Sequence, residues 1–436
     1  MKPTQDFTAQ NLFWMKGRRI PESLRKNSPK TKDDWLKLAS AVEEDVAKGR
    51  FRFTGIFSAN ASGKPALSTS STADALVLRK INDNIRRAYG IRQTQRAQAV
   101  SLAKTALAEW TPKGVISLDL KSCFESITPR EVIEKLREDA KVSTQTIHLL
   151  DLFLTQARHF GANKYTRGLP RGILVSSTLA ELYLKVLDSR IARMKGVYLY
   201  IRYVDDILVL AARQSKPVFE EISGLVEAQG LALNAAKLRA VDVGCHCAFE
   251  CNHAVGKCPC ANKCKCNKNV DNFDYVDYLG YRLIFSTGSA LASPKCYAMV
   301  ARAKADRIKK RISRTVLNYK KTGDLGLLVD SLKYLTSNVT VDKSIRDSRL
   351  SSGVAFTYSQ YDEPPQPHRF SDCSLDGIDK FLRTKIRRVS VTHGLTYIQR
   401  REVLRHSFVY GHAKKHRSSF PKSRVLQIKR TWDDVL

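Results

Sequence analysis

Three aspartates stand at the ends of short apolar runs that are rich in strand-forming residues. Asp119 lies near the end of GVISLDL (114–120), and Asp205 with Asp206 lies between the runs YLYIRY and ILVLAA. The pattern predicts a strand ending at the first carboxylate and a tight hairpin carrying the other two at its tip. Converging carboxylates repel one another, and a divalent cation relieves that repulsion. Because Mg²⁺ favours a few carboxylates together with substrate phosphates, the arrangement suits two-metal phosphoryl transfer.

The Asp-Asp pair also has a plain structural explanation. Aspartate is common in tight turns because its side chain accepts hydrogen bonds from nearby backbone amides. The pair by itself therefore does not establish a catalytic site. The order of the other motifs along the chain has to decide between the two interpretations.

A second group of residues with possible chemistry is a cysteine cluster. Two copies of the spacing Cys-x-Cys-x3-Cys are followed by one more cysteine, and two histidines stand among them. Closely spaced thiolates enclose Zn²⁺ tetrahedrally, so the cluster predicts two zinc ions or a small multinuclear cluster. An iron–sulfur cluster is the rival, and disulfides fit a reducing compartment less well. The possible ligands are Cys245, Cys247, Cys251, Cys258, Cys260, Cys264, Cys266, His246 and His253.

The metal would first of all fold an insertion that is too short to have its own core. Four lysines within it (Lys257, Lys263, Lys265 and Lys268) make contact with RNA phosphate a second expectation.

The charge of the chain points to a polyanionic partner. The 436 residues include 74 Lys and Arg against 42 Asp and Glu, which gives a formal net charge of +32. Such an excess argues against an ordinary metabolic enzyme and for nucleic acid or an acidic membrane surface. A hydrophobic content of 43% excludes a disordered basic tail. No apolar run approaches the roughly 20 residues of a membrane span, so we expect a cytoplasmic protein without membrane contact.

Two segments near the end of the sequence concentrate the positive charge. Residues 295–322 and residues 400–430 each contain ten Lys or Arg and a single acid. The first segment reads as a helix with an apolar stripe of Ile308, Ile312 and Val316 opposite the charges. A solvated surface is the ordinary explanation of such segments. With +32 overall, contact with a nucleic-acid backbone and a steep dependence of binding on salt are the better expectation.

The order of five segments resembles that of a known enzyme family. LDLKSCFESI, GLPRGILVSS, YVDDILVL, GLALNAAK and YLGYRL occur in the order of palm motifs A to E of reverse transcriptases. The resemblance covers about residues 75–285 and continues more loosely into the basic helical region. It implies an RNA-directed DNA polymerase with a mixed α/β (α+β) right-hand fold. That fold has fingers, an antiparallel palm sheet like that of an RNA-recognition motif, and a helical thumb.

The resemblance also implies a division of the chain into domains. A helical extension would be followed by the fingers, the palm, and a basic thumb with the C-terminal region. The palm would contain one further fingers segment and the cysteine-rich zinc insertion. The implied boundaries are 1–50 for the extension, 51–113 for the fingers, 114–285 for the palm, 130–165 for the fingers segment, 244–268 for the insertion and 286–436 for the thumb.

The resemblance assigns roles around two Mg²⁺ ions, for which Mn²⁺ is a possible substitute. Asp119 and Asp205 would hold both metals, with Asp206 in support and the Leu120 carbonyl as a backbone ligand. Lys237, expected on a strand within LALNAAKLRAV, would protonate the leaving pyrophosphate. The ordinary alternative for this residue is a solvated lysine.

The remaining roles implied by the resemblance concern nucleotide and primer. Phe124 would block a 2′-hydroxyl, and the alternative is a phenylalanine buried in the core. Tyr203 would lie at the primer terminus, and the alternative is a tyrosine buried in the core. Arg171 stands where the family more commonly has glutamine. The loop and its neighbours on the nucleotide side are Gly168, Pro170, Arg171, Gly172 and Ser176, and the primer grip is Leu279 with Gly280.

The subgroup implied is that of the bacterial abortive-infection and defence-associated reverse transcriptases. The variant LPRG and an arginine-rich helix pair before motif A favour it, whereas VTHG at 391–394 departs from the retron signature. The implied partners are a neighbouring noncoding RNA as template or scaffold, a DNA primer and product, and dNTPs. A group II intron or retron-type enzyme and a catalytically silent RNA-binding scaffold remain open as alternatives.

Overall fold

The structure, a computed structural model, describes most of the chain. The described residues are 4–17, 24, 28–61, 64–92, 94–109, 111–159, 168–243, 273–286, 295–341, 351–364, 369–392 and 394–433. The predicted zinc ligands between Cys245 and Cys266 lie outside them. By its internal contacts the chain divides into two compact units. The first is Met1–Thr94, Leu118–Ile207 and Lys216–Leu238, and the second is Gln95–Ser117, Leu208–Ser215 and Arg239–Leu436.

Helices and strands alternate along both units, as expected for the mixed α/β class. The helices are α1 (Ala9–Trp14), α2 (Lys32–Ala47), α3 (Thr72–Ala88), α4 (Arg96–Leu107), α5 (Cys123–Ser126), α6 (Pro129–Asp139), α7 (Thr144–Ala157), α8 (Leu174–Ala192), α9 (Ser215–Ala228), α10 (Arg302–Thr322), α11 (Leu325–Thr336), α12 (Val354–Thr357), α13 (Leu375–Thr392), α14 (Tyr397–Leu404), α15 (Phe408–Ala413) and α16 (Lys422–Asp433). The strands are β1 (Ile56–Ala61), β2 (Lys64–Thr69), β3 (Lys113–Asp119), β4 (Val197–Tyr203), β5 (Asp206–Ala211), β6 (Arg239–Val243), β7 (Phe273–Tyr278), β8 (Tyr281–Ser286), β9 (Cys296–Val300), β10 (Asn338–Val341), β11 (Ser351–Gly353) and β12 (Arg417–Phe420).

A four-stranded sheet with the order β4-β5-β3-β6 carries the predicted aspartates. Every residue of β3 is buried, and β3 pairs antiparallel with β6 from Lys113 opposite Val243 to Ser117 opposite Arg239. The predicted strand ending at Asp119 and the tight hairpin between β4 and β5 are both confirmed. Asp119 is the last residue of β3 and therefore lies at the point where the chain leaves the sheet.

The strand predicted through LALNAAKLRAV is wrong in its first half. Residues Ala235–Lys237 form a 3-10 turn, and β6 begins only at Arg239. The backbone N–H of Asn234 donates to the carbonyl of Asp119 at 2.8 Å, after which the chain turns away. Lys237 therefore lies in a turn before the strand, and not on the strand itself.

The helices of the first unit pack around α3. Ser71 caps its N-terminus by accepting a hydrogen bond from the backbone N–H of Asp74. The helix places fully buried Ile81 and Ile85 against α7 and α8. Within this contact, Thr178 of α8 donates to a side-chain oxygen of α3 at 2.6 Å. The long helix α8, which follows the Gly168–Gly172 loop, is held in place by this packing.

The second unit contains two further sheets and the basic helices. Strands β7, β8 and β9 form an antiparallel sheet, while β10 pairs antiparallel with β11 and parallel with β12. The predicted basic helix is α10, which buries Ile312 and Val316 and half-buries Ile308. The strand β12 within the basic segment 400–430 was not anticipated by the sequence analysis. Among the described residues, no helix combines the length and the apolar composition that crossing a membrane requires.

A close packing contact at Gly411 yields a test of the second unit. A Cβ at this position of α15 would collide with the carbonyl oxygen of Thr336. We expect Gly411→Ala to lower the free energy of unfolding by about 1–3 kcal/mol, the usual cost of overpacking. Gly224→Ala in α9 is the matched control, because its Cβ would meet no atom within 4 Å and helix propensity favours alanine. Calorimetric melting curves that leave Gly411→Ala as stable as Gly224→Ala would contradict the described contact.

Candidate active site

Three carboxylates from two separate parts of the sequence meet where β3 ends and the hairpin between β4 and β5 turns. One oxygen each from Asp119, Asp205 and Asp206 lies within 4.8 Å of the other two. Asp119 is only 5% exposed. The backbone N–H of Leu120 donates to the carbonyl of Asp205 at 2.9 Å, which ties the end of β3 to the hairpin turn. The sequence prediction that these three side chains converge is confirmed.

The hairpin turn is strained, and the side chain of Arg202 stabilises it. Val204 has a φ of 61°, an unfavourable value for a β-branched residue. Its carbonyl accepts a hydrogen bond from Arg202 at 3.0 Å. The Arg202 side chain is 6% exposed and forms 2.7 Å ion pairs with Glu181 and Asp188 of α8. A buried arginine held by two helix carboxylates therefore supports the turn that carries Asp205 and Asp206.

This support was not predicted from the sequence. The available signal was a single arginine within the otherwise uncharged run YLYIRY, together with two acids seven residues apart on a predicted helix. Residues seven apart lie on one helical face, so Glu181 and Asp188 were able to share one partner. Nothing local in the sequence showed that this partner was Arg202.

The electrostatics of the three carboxylates favour a bound cation. Burial, and then the negative charge of Asp205, raise the pKa of Asp206 to about 7. Burial, with a contribution from the charge of Asp119, also raises the pKa of Asp205. The raised pKa values mean that burial and the neighbouring carboxylates together disfavour the charged forms of these two groups. The donor set consists of hard carboxylate oxygens, so the residues fit Mg²⁺ or another hard divalent cation.

Lys237 and Asn234 hold the carboxylate of Asp119 from the side of the 3-10 turn. The Lys237 ammonium donates to one oxygen at 2.6 Å, and the Asn234 amide donates to the other at 3.0 Å. Burial opposes the charge of Lys237, but the hydrogen bond to Asp119 and the charges of the three aspartates outweigh it and raise its pKa. The lysine is therefore a protonated counter-charge. Asn234 was missed, although it lies three residues before Lys237 in the same motif.

The glycine-containing loop packs against the short helix that follows Asp119. Gly168 has a φ of +88°, and a Cβ there would lie 2.5 Å from the Cα of Glu125 and 2.7 Å from the carbonyl oxygen of Phe124. The backbone N–H of Leu169 donates to that same carbonyl at 2.7 Å. Only glycine permits this conformation and this approach together.

The far end of the loop packs against β2 in the same way. Gly172 also has a φ of +88°, and a Cβ there would collide with the carbonyl oxygen of Leu67. The backbone N–H of Leu67 donates to the carbonyl of Arg171 at 2.7 Å. Both glycines are thus required by packing within the protein. Their approach to a nucleotide base stays a prediction.

The side chain of Arg171 turns back onto α5. It forms a bidentate ion pair with Glu125, at 2.7 Å and 2.9 Å, and its guanidinium lies 5.2 Å from the centroid of the Phe124 ring. Phe124 is half-buried, which does not match the alternative of a fully enclosed core residue. The sequence analysis singled out both Phe124 and Arg171 but did not predict their contact or the role of Glu125.

The remaining predicted residues occupy different environments. Ser176 is 1% exposed in α8, and its hydroxyl has no hydrogen-bond partner among the residues that the structure describes. Its predicted support of a nucleotide stays a prediction. Pro170 is buried in the loop, and Tyr203 is half-buried at the end of β4.

The predicted primer-grip residues form a hairpin turn in the second unit. Leu279 and Gly280 connect β7 to β8 with φ values of 50° and 77°. Arg96 donates through its Nε to the carbonyl of Leu279 at 3.2 Å, and through its Nη1 to the carbonyl of Thr357 at 2.6 Å. The turn is therefore well fixed within its own unit.

A cavity of about 880 Å³ in the first unit does not coincide with the carboxylates. Its walls come from the end of α3 and from α6, α8 and α9, and include Tyr89, Lys185 and Arg190. None of the predicted site residues lines it. The cavity therefore gives no support to the predicted site, which consists of the carboxylate cluster and its neighbours.

Comparison with known proteins agrees with the motif order. Residues 68–283 match the family model described as reverse transcriptase (RNA-dependent DNA polymerase). Among solved structures, the chain is similar to apo telomerase from Candida tropicalis truncated from the C-terminal domain, with a TM-score of 0.32 and 10% sequence identity. That alignment covers 62% of this chain and 50% of the telomerase chain, so the chain spans about half the length of that relative. No curated protein matches.

The charge imbalance at the three carboxylates predicts an unusual pH dependence of stability without metal. The pKa of Asp206 is raised in the folded state, so its stabilising contribution is present below pH 3.8 and is lost as pH rises towards about 7. In EDTA, Asp206→Asn should therefore melt about 2–5 °C above the unsubstituted protein at pH 8, a gain that shrinks towards pH 4.

Magnesium should reverse this order. Adding Mg²⁺ at pH 8 should raise the melting temperature of the unsubstituted protein more than that of Asp206→Asn, which has lost one of the three carboxylates. Asp151→Asn is the control, because Asp151 of α7 forms an ion pair with Arg137 of α6 at the surface. This variant should respond to Mg²⁺ normally. Equal responses of both variants in a differential scanning fluorimetry series would contradict a metal site at Asp206.

Proposed function

The chain carries a reverse transcriptase (RNA-dependent DNA polymerase) domain over residues 68–283, and from this we propose that it copies RNA into DNA by adding dNTPs to a 3′-hydroxyl. The observation that carries the proposal is the convergence of Asp119, Asp205 and Asp206 within 4.8 Å. Buried carboxylates with raised pKa values are costly for stability, and a catalytic metal site is a sufficient reason to retain them.

The metals of the proposed reaction would be held by the three carboxylates. Asp119 and Asp205 would bind two Mg²⁺ or Mn²⁺ ions, with Asp206 in support and the carbonyl of Leu120 as a further oxygen. When bound, such ions activate an attacking hydroxyl and neutralise the leaving pyrophosphate. The strained turn at Val204 and the support from Arg202 keep the two neighbouring aspartates directed at one point.

The side chains around Asp119 act on orientation and on protons. Asn234 and Lys237 each donate to one oxygen of Asp119, which fixes the rotation of its carboxylate. Lys237 keeps its proton at neutral pH because its pKa is raised, and its side chain is 56% exposed. We propose that its ammonium leaves Asp119 and donates to the departing pyrophosphate oxygen, a movement that its flexible four-carbon chain permits.

Nucleotide and primer would be held by the neighbouring loops. We infer that the loop Gly168–Gly172 lies beside the incoming nucleotide, that Phe124 excludes a 2′-hydroxyl, and that Tyr203 contacts the primer terminus. Leu279 with Gly280 would form the primer grip. The ordered packing of Gly168 and Gly172 against α5 and β2 supports this assignment, because a nucleotide-binding loop needs a rigid support.

The proposed architecture follows the boundaries implied by the motifs. Fingers at 51–113 and 130–165 would precede and interrupt a palm at 114–285, and the basic region 286–436 would form the thumb. The helix α10 supports this, since it carries its positive charges opposite a buried apolar face. We infer that the thumb contacts a template–primer duplex through its phosphates and recognises shape more than sequence.

The biological setting belongs to the same proposal. We infer a cytoplasmic enzyme of the bacterial defence-associated type, with a neighbouring noncoding RNA as template or scaffold. The support is the net charge of +32 and the LPRG variant at 169–172. The cysteine cluster between Cys245 and Cys266 is proposed to bind Zn²⁺ on the strength of its repeated spacing.

Primer extension tests the catalytic proposal directly. With poly(rA)–oligo(dT), TTP and Mg²⁺, the unsubstituted protein should extend the primer, and Asp205→Ala should lose at least about a hundredfold in rate because a metal ligand is gone. Asp151→Asn, an exposed aspartate on α7, should retain full activity. Equal incorporation by the unsubstituted protein and Asp205→Ala would leave only the scaffold alternative.

The RNA that copurifies with the protein tests the proposed partner. We expect sequencing to recover one structured noncoding RNA encoded beside the gene, strongly enriched over total RNA, and its recovery to fall steeply as salt is raised from 50 to 500 mM during purification. Enrichment of an intron that surrounds the gene would instead identify a group II intron protein. Unenriched cellular RNA alone would contradict a cognate RNA of either kind.

A further inference from the structure

An ion pair joins the nucleotide loop to the helix that carries Phe124. Arg171 and Glu125 are separated by 46 positions in the sequence, yet their side chains make two parallel hydrogen bonds, of 2.7 Å and 2.9 Å. Such fork-to-fork pairing restricts the guanidinium in rotation as well as in position. The side chain of Arg171 is 27% exposed, so the pair is partly shielded from solvent.

Backbone contacts fix the same two segments to each other. The carbonyl of Phe124 accepts the N–H of Leu169, and Gly168 lies against the backbone of Glu125 with no room for a side chain. The loop and α5 therefore form one block, within which the Arg171–Glu125 pair has little freedom to rearrange. Preorganisation of this kind lowers the entropic cost of holding the ion pair.

The guanidinium that Glu125 holds also lies against the ring of Phe124. The distance from the Arg171 Cζ to the ring centroid is 5.2 Å, within the range of a cation–π contact. Phe124 is half-buried, so the protein core does not fully enclose its ring. A side chain that excludes a 2′-hydroxyl works only as far as it resists displacement by that hydroxyl. Whatever fixes the ring then contributes to sugar selection.

We propose that Glu125 and Arg171 are positioning residues that lock the Phe124 ring and thereby set the discrimination between dNTPs and rNTPs. This inference rests on the proposed polymerase function and on the role proposed there for Phe124. In this proposal Arg171 contacts other side chains of the protein and not the nucleotide, because its guanidinium is held between the carboxylate of Glu125 and the ring of Phe124.

Single-nucleotide incorporation on poly(rA)–oligo(dT) measures the effect. For each protein, kcat and KM are determined separately with TTP and with UTP in the presence of Mg²⁺. Glu125→Gln should lower the preference for TTP over UTP by about threefold to tenfold, the range expected of a partly exposed bidentate pair. The change should come from a lower KM for UTP, because a mobile ring admits the ribose, while kcat for TTP changes little.

Variants of the partner show whether the two residues act together. Arg171→Gln should reduce discrimination as much as Glu125→Gln, and the double substitution should add nothing further, because both remove one lock. Arg171→Lys should keep the charge but lose the planar fork, and should therefore restore only part of the preference. Independent effects that multiply in the double variant would overturn a shared lock.

The matched control is an ion pair of similar length away from the loop. Glu134 pairs with Arg130 on α6 at 2.7 Å, and Glu134→Gln should leave the TTP to UTP ratio within twofold of the unsubstituted protein. Melting temperatures of all variants show whether each is folded. Phe124→Ala provides the upper limit of the loss in discrimination.

The outcomes separate this inference from the proposed function. If the unsubstituted protein extends the primer and Glu125→Gln keeps the original ratio, the lock is wrong and the polymerase proposal stands. If Glu125→Gln reduces incorporation of both nucleotides equally, the pair stabilises the pocket without selecting the sugar, which also overturns the lock. An unsubstituted protein that incorporates neither nucleotide removes the proposed function, and this inference with it.

Discussion

Mutual repulsion among three carboxylates is the constraint that the site is built around. Asp119, Asp205 and Asp206 come within 4.8 Å, and burial makes their repulsion more costly than it would be in water. The fold supplies partial compensation from the ammonium of Lys237 and the amide of Asn234. What remains is a cluster of carboxylate oxygens suited to a divalent cation.

Arginines near this centre each hold more than one group at once. Arg202 neutralises Glu181 and Asp188 while it holds the carbonyl of Val204 in a strained turn. Removing either acid would leave the buried guanidinium of Arg202 with one carboxylate partner instead of two, a change that usually costs several kcal/mol of stability. Arg171 likewise satisfies Glu125 while it contacts the Phe124 ring. In both cases an arginine fork suits the task, because it bonds in more than one direction at once.

Much of the site was predictable because its signals are local. A buried strand that ends in aspartate, a tight hairpin and the order of the five motifs can be recognised from short segments, and residues 68–283 match the reverse transcriptase family model, as the motif order predicts. The strand predicted through 235–237 is wrong because a hydrogen bond from the backbone N–H of Asn234 to the carbonyl of Asp119 interrupts an apparently continuous strand pattern. The domain boundaries, the zinc insertion and the defence role stay predictions.

The sequence by itself determined which residues are available for chemistry and in what order they come, because strand and turn preferences act over a few neighbouring residues. Only the tertiary structure decided how those residues are held. Asn234 meets Asp119 across 115 positions and Arg171 meets Glu125 across 46, and neither pairing leaves a local pattern. Contacts between distant residues depend on how helices and strands pack, so the support of the site becomes visible only once the chain has folded.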